Sequence, residues 1–352
     1  MQKNPPKIWL LASPHTGDNT QLLALAENLG WPYEIMKLSY RKLHAFSRFL
    51  PHSLRGLTDE ARAQLAAPYP DLILGAGQPT EPIALWIKQN AQHKTRLVYL
   101  GTPWTKLDSF DLVITTPQYQ LPERANVLHI DLPLHKVEPE KLKAAADHWR
   151  PKLKHLARPW TAVLVGGASG PYTFNEAAAM RLAQQAQRNG GSFLITTSAR
   201  TPELTVAALK NSLTAPHYFH AWNNHSAENP FFGFLALADQ FIVSADSISM
   251  LSEACATGKL VHMFDTEQGS FAMRDASPKI KWLGRTLNTT IFRIAMRVAP
   301  KRWSRDLRIV HKQLLNSGHA TWLGDTPVPA NTKPASSALE MATSRVKTLF
   351  DL

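Results

Sequence analysis

Between Phe241 and Met263 an apolar strand runs straight into a helix whose first turn is rich in hydroxyls and acid, FIVSADSISMLSEACATGKLVHM. Phe241, Ile242 and Val243 read as a short buried strand, Ser244 to Ser247 as a cap, and Ile248 to Thr257 as a helix closed by Gly258. A strand that hands over to a helix this abruptly belongs to an α/β layer. It aims unpaired backbone N–H groups and the positive end of a helix dipole at whatever lies above, and the natural guest is a phosphate. At about 100° per residue, Asp246, Ser249 and Glu253 fall within a sector of about 60° and can present one polar edge to one ligand. Glu253 is then placed to accept hydrogen bonds from a ribose diol. A plainer description also fits, with Asp246 and Ser247 as caps and Glu253 on a solvated face.

The rest of the chain repeats this grammar twice. Strands are expected at Lys7 to Ala12, Asp71 to Gly75, Arg96 to Leu100, Asp111 to Thr115 and Val127 to Ile130, with helices at Asp18 to Leu29 and Glu81 to Ala91. A Lys-, His- and Pro-rich stretch follows, helical around Pro139 to His155. The second alternation has strands at Ala162 to Val165, Ser192 to Thr196, Tyr218 to Ala221 and Val261 to Phe264, and helices at Asn175 to Asn189 and Thr201 to Ser212. A Pro/Ala/Ser linker leads to a last helix around Ala338 to Phe350. The expected domains are 1–135, a connector 136–160, 161–325, and a linker with return helix 326–352.

Parallel sheets bind ligands beyond the carboxyl ends of their strands. The loops expected there are Ser13-Pro-His15-Thr-Gly17-Asp18-Asn19, Gly75-Ala-Gly77-Gln78-Pro-Thr80, Gly166-Gly167-Ala-Ser169-Gly170 and Thr196-Thr197-Ser198-Ala-Arg200. Glycines let backbone amides approach an anion, and Arg200 can add a charge-assisted bond to phosphate. None of these loops is a Walker A or a GxGxxG, which argues against a P-loop NTPase and a typical dinucleotide site.

With 352 residues and 44% hydrophobic content the chain can build two cores. Its single cysteine, Cys255, excludes an intramolecular disulfide and a Cys-based zinc site, in keeping with a reducing compartment. No apolar run has the length of a signal peptide core or a bilayer span, so a cytoplasmic protein is expected. The 39 Lys+Arg against 27 Asp+Glu give +12. Ten of the cations and one acid, Asp306, lie between Lys279 and Lys312, interleaved with apolar and aromatic residues. The segment Leu38 to Leu57 has a similar composition. Arg41, Lys42 and Arg48, with Lys281, Trp282, Arg285, Arg293, Arg297, Lys301, Arg302 and Trp303, read as patches for an anionic membrane surface. Ordinary solvated amphipathic helices are the alternative. No nucleic-acid module accompanies the patches, which disfavours a nucleic-acid partner.

The segments GDNTQLLALAENLGWP, DLILGAG, GGASGPYTFNE, FLITTSARTP, ENPFFGFLALAD and ADSISMLSEACATGK together resemble the mitochondrial fission ELM family, named for its plant members. The resemblance implies a GT-B-like α/β fold: two Rossmann-like domains with parallel sheets facing across a cleft, and a C-terminal helix returning to the first domain. It implies a nucleotide-sugar donor in the second domain and an acceptor on the first. Lys259 is followed by Leu260 where the family often has Pro.

An inverting glycosyltransferase needs a base for the acceptor hydroxyl and a fixed positive field for the departing diphosphate. The base expected first is Asp18 and second His15, with an N-cap role as the alternative for Asp18. The donor site is expected from Gly167, Ser169, Thr197, Arg200, Asn229, Asp246, Ser247, Ser249 and Glu253. No metal or cofactor is expected, the chain having no DxD, and the donor is expected to be UDP-linked. The acceptor is expected to be lipid-linked or of lipopolysaccharide type, with the protein on the inner face of the membrane. The competing reading is a non-catalytic membrane adaptor that recruits a protein partner, a role the resemblance to the plant members also implies. An NAD-type epimerase is disfavoured by the missing GxGxxG.

Overall fold

Runs of Leu, Ile and Val without polar interruption favour strands buried on both faces, and such strands form parallel sheets covered by helices. A computed structural model of the chain describes residues 5–41, 52–167, 172–223, 228–268, 272–274, 305–326 and 338–351, and places them in two units.

The first unit holds β1 (Ile8–Leu11), α1 (Thr16–Leu29), β2 (Tyr33–Met36), α2 (Asp59–Ala63), β3 (Leu72–Ala76), α3 (Glu81–Asn90), β4 (Arg96–Leu100), β5 (Leu112–Thr115) and β6 (Val127–His129). The second holds α4 (Pro139–Leu153), β7 (Trp160–Val165), α5 (Glu176–Ala186), β8 (Ser192–Thr197), α6 (Glu203–Asn211), β9 (His217–His220) and α7 (Phe231–Leu237). It continues through β10 (Gln240–Ser244), α8 (Ile248–Cys255), β11 (Leu260–Phe264), α9 (Leu307–Asn316) and β12 (Thr321–Trp322). The last helix, α10 (Ala338–Lys347), belongs to the first unit.

Both sheets are six-stranded and their described pairings are parallel, in the orders β2-β1-β3-β4-β5-β6 and β12-β11-β10-β7-β8-β9. Each order reverses direction once, between β1 and β3 in the first sheet and between β7 and β10 in the second. Loops diverge at such a reversal and leave a crevice at the carboxyl ends of the strands.

Helix α1 buries Leu22, Leu25 and Leu29 against Ile8 and Leu10 of β1, and stops where Gly30 takes φ 70° and returns its N–H to Glu27 O. Helix α10 closes the same core with Ala342 and Val346, and Asn28 Nδ2 donates to Thr343 Oγ1 at 2.7 Å. In the second unit, α5 lays Ala179, Leu182 and Ala183 on Val163, Phe193 and Ile195.

The expected GT-B-like α/β class holds, with differences at particular elements. Helix α1 begins at Thr16, two residues before the expected Asp18, and α8 ends at Cys255, two before Thr257. Strand β2 escaped the pattern because it is an edge strand with Tyr33, Glu34 and Ile35 exposed and no clean alternation. Of the residues assigned to membrane contact, Lys42, Arg48, Lys281, Trp282, Arg285, Arg293, Arg297, Lys301, Arg302 and Trp303 lie outside the described residues. Arg41 is exposed and pairs with Asp59 at 2.8 Å. Among the described residues no helix is long and apolar enough to cross a membrane.

One ion pair stitches the helical layer of the first unit to its sheet. Lys88 Nζ of α3 lies 2.6 Å from Asp111 Oδ2, with both side chains about 15% exposed, and the same oxygen accepts Leu97 N–H of β4 at 2.7 Å. Replacing Asp111 by Ala should cost about 3 kcal/mol, because it strands the Leu97 amide and leaves the Lys88 ammonium only the Ser109 carbonyl at 3.2 Å. Urea unfolding should show a lower midpoint with an unchanged slope.

Candidate functional site

The reversal point of the second sheet gathers three loops. Gly166 and Gly167 follow β7, Ser198 to Thr201 follow β8, and Ala245 to Ser247 join β10 to α8. Gly166 N–H donates to Ser244 Oγ at 2.7 Å and Gly167 N–H to Asp246 Oδ2 at 3.0 Å. The Gly166 carbonyl accepts from Ser198 Oγ at 2.8 Å and from Thr201 Oγ1. A side chain at Gly167 is impossible: its Cβ would sit 2.2 Å from the Arg200 carbonyl oxygen. The two glycines thus bring backbone of three loops into contact, the close approach for which glycine is used beside anion sites.

Neither Asp246 nor Ser247 caps α8. Ser247 occupies the N-cap position with φ −102° and ψ 83°, but its side chain makes no capping bond, and Asp246 turns to the glycine loop. Asp246 therefore precedes the helix rather than sharing a helical sector with Ser249 and Glu253. It is 1% exposed, its Oδ1 has no hydrogen-bond partner among the described residues, and burial raises its pKa against the opposing pull of Gly167 N–H and Arg200. Ser249 is half-buried. Glu253 is 7% exposed, not on a solvated face, and burial pushes its carboxyl up to about 8.

The remaining donor candidates are less closely joined. Arg200 is exposed but electrostatically coupled to Asp246. Thr197 is buried and its hydroxyl accepts Trp222 N–H at 2.9 Å, toward the β9 side. Asn229 is exposed and its Oδ1 accepts Phe231 N–H at 3.0 Å, so it serves the start of α7. Ser169 lies outside the described residues. Ser198, Thr201 and Ser244 were not among the expected site residues, although a hydroxyl at the end of a strand was the available signal.

At the reversal point of the first sheet, Ser13 organises the loop after β1. Its N–H donates to Asn19 Oδ1 and its carbonyl accepts from Asn19 Nδ2, both at 2.8 Å. Its hydroxyl donates to Asp18 Oδ2 at 2.8 Å and accepts His15 N–H at 3.2 Å. Asp18, half-buried, stands in the first turn of α1 and is not its N-cap; that position is His15, exposed and without a side-chain capping bond. The Asp18 carboxylate packs on Gly77, where φ is +75° and a Cβ would lie 2.5 Å from Oδ2.

Two doubly wound parallel units, each with an aspartate packed against a glycine loop at its reversal point, define a GT-B-like α/β protein. The mitochondrial fission ELM1 family matches residues 16–306, and the chain belongs to it. An uncharacterised protein of Rickettsia prowazekii (strain Madrid E) is 26% identical over 298 residues, 73% of this chain and 82% of the relative. The mitochondrial fission protein ELM1 of Arabidopsis thaliana is 25% identical over 260 residues, 67% of this chain and 61% of the relative. Among solved structures, the S. aureus MnaA–UDP co-structure shares the fold at 11% identity and TM-score 0.50, covering 99% of this chain and 97% of that one. A glycosyltransferase from Rickettsia africae ESF-5 gives 10% identity and TM-score 0.48, covering 99% and 98%.

The Glu253 carboxyl has a consequence for stability. Its folded pKa, about 8, lies above the ordinary 4.5, so between those values the folded chain holds a proton that the unfolded chain has released. This contribution is complete below about pH 4.5 and is lost as pH rises through about 8. Thermal unfolding at pH 5 and pH 9 should therefore show Glu253→Gln losing less Tm across the interval than the wild type. Equal losses would place the carboxyl in water.

Proposed function

We propose that the chain is a metal-independent glycosyltransferase that binds a nucleotide-sugar in its second unit. The observation that carries this reading is the meeting of the Gly166–Gly167 loop with the uncapped start of α8, beside a buried Glu253. Backbone N–H groups at the start of α8, with Ser247 and Ser249, receive the diphosphate, and Arg200 adds positive field. Glu253 accepts from the ribose diol. The UDP bound to the S. aureus neighbour makes UDP the first nucleotide to try.

In the transfer step the acceptor oxygen attacks the anomeric carbon, its proton passes to the Asp18 carboxylate, and the diphosphate departs with the bonding pair. His15 is the second choice of base. The basic segments support a lipid-linked acceptor and attachment to an anionic membrane surface. The competing reading, an adaptor without catalysis, draws on the fission role in the name of the Arabidopsis relative.

Calorimetry with UDP-, GDP-, ADP- and CMP-linked sugars tests the donor site. One nucleotide class should bind the wild type, and Glu253→Ala should weaken it at least about tenfold, the worth of a hydrogen bond to a charged group. Ribose hydroxyls donate to the ionised carboxylate, so binding below about pH 8 expels its proton. Affinity should rise toward that pH and level off above it, with proton release read from the buffer dependence of the enthalpy. No binding of any donor would favour the adaptor. Once an acceptor is found, Asp18→Asn should leave donor affinity intact and lower turnover by about a hundredfold or more.

A further inference from the structure

Two buried polar atoms at the carboxyl edge of the second sheet have no partner among the described residues: Asp246 Oδ1 and Thr266 Oγ1. They belong to side chains 1% and 4% exposed, where an unmade hydrogen bond is costly. They leave neighbouring strands at equivalent positions. Ser244 of β10 pairs with Phe264 of β11, Ala245 N–H reaches Phe264 O at 2.9 Å, and each orphan follows its paired residue by two. Polar groups beside them are engaged. Asp246 Oδ2 is taken by Gly167 N–H, and Glu267, next to Thr266, accepts both Thr173 N–H and Thr173 Oγ1.

The chemistry of the pair narrows what completes it. The carboxylate oxygen needs a donor, whereas the threonine hydroxyl can donate or accept. A phosphate oxygen only accepts and carries charge of the same sign as the carboxylate. A cation would face Arg200 and the positive end of α8. A neutral group that donates to the carboxylate and also accepts from the threonine satisfies both atoms: a sugar hydroxyl through its one oxygen, an acetamido substituent through its N–H and its carbonyl.

We propose that Asp246 and Thr266 form a sugar-reading subsite, in which one hydroxyl or acetamido group of the transferred sugar donates to Asp246 Oδ1 and meets Thr266 Oγ1. The subsite rests on the nucleotide-sugar reading of the same edge and adds the part of the ligand that reading leaves unassigned. Glu253 and the start of α8 hold the nucleotide, and this pair distinguishes a nucleotide-sugar from the bare nucleoside diphosphate.

The test compares UDP, GDP and ADP with their glucose and N-acetylglucosamine conjugates by calorimetry on wild type, Thr266→Val, Thr266→Ser and Asp246→Asn. The wild type should bind a conjugate about tenfold or more tighter than the matching diphosphate. Thr266→Val should erase most of that margin while leaving diphosphate affinity unchanged, and Thr266→Ser should restore it. Asp246→Asn can keep the Gly167 bond through its amide oxygen while presenting an amide donor to the subsite. A hydroxyl, which also accepts, tolerates that exchange, and an acetamido N–H does not, so the variant separates the two groups. Equal binding of diphosphate and conjugates by the wild type overturns the subsite while the nucleotide site stands. So does a proportional loss of both in Thr266→Val. Failure of every nucleotide to bind the wild type removes the nucleotide reading and the subsite together.

Discussion

The hydrogen bond from Gly167 N–H to Asp246 is the contact on which the polar edge of the second unit depends. A carboxylate with 1% exposure costs free energy unless it is paired or hydrogen-bonded, and here the glycine amide and the field of Arg200 offset part of that cost. Committing Asp246 to the glycine loop withdraws it from the helix beside it. Ser247 does not replace it as a cap, so the first amides of α8 have no side-chain cap and remain available to a ligand.

The first unit uses a related contact for a different end. Asp18 also packs an oxygen onto a glycine at a reversal point, but its partner is the Ser13 hydroxyl, and it sits inside the first turn of its helix. An acid there disfavours an anion at the start of α1. In the second unit the corresponding acid lies outside the helix, is buried, and has a guanidinium within its field. This difference in charge, more than any difference in topology, is why we propose the diphosphate for the second unit and a proton acceptor for the first.

Much of the strand placement was written in the sequence because strands buried on both faces have one simple signature. Arg96 to Leu100 was legible residue by residue, and most other strands to within two. Edges were not: Tyr33 to Met36 and Thr321 to Trp322 are short and are held by pairing rather than by pattern. At the site, the meeting of glycine loop and helix start could be foreseen from glycine and hydroxyl placement. The burial of Glu253 could not, because it depends on α8 being covered on nearly every side. The run ISMLSEAC, apolar or small at all but one position, was the available hint. Thr197 and Asn229 looked alike in sequence to the hydroxyls and amides that converge, and tertiary hydrogen bonds alone separate them.

Helix α10 supplies Ala338, Ala342 and Val346 to a core whose other members lie before residue 135. The first unit is therefore discontinuous, and the second unit is threaded between its segments. During synthesis the apolar face of α1 and β1 waits for this cover until residues 338–346 have followed the second unit out of the ribosome. The second unit, nearly contiguous, can mature in that interval. Closing the first unit must then span a folded insert instead of a flexible loop, so the docking of α10 reports that the second unit has been made.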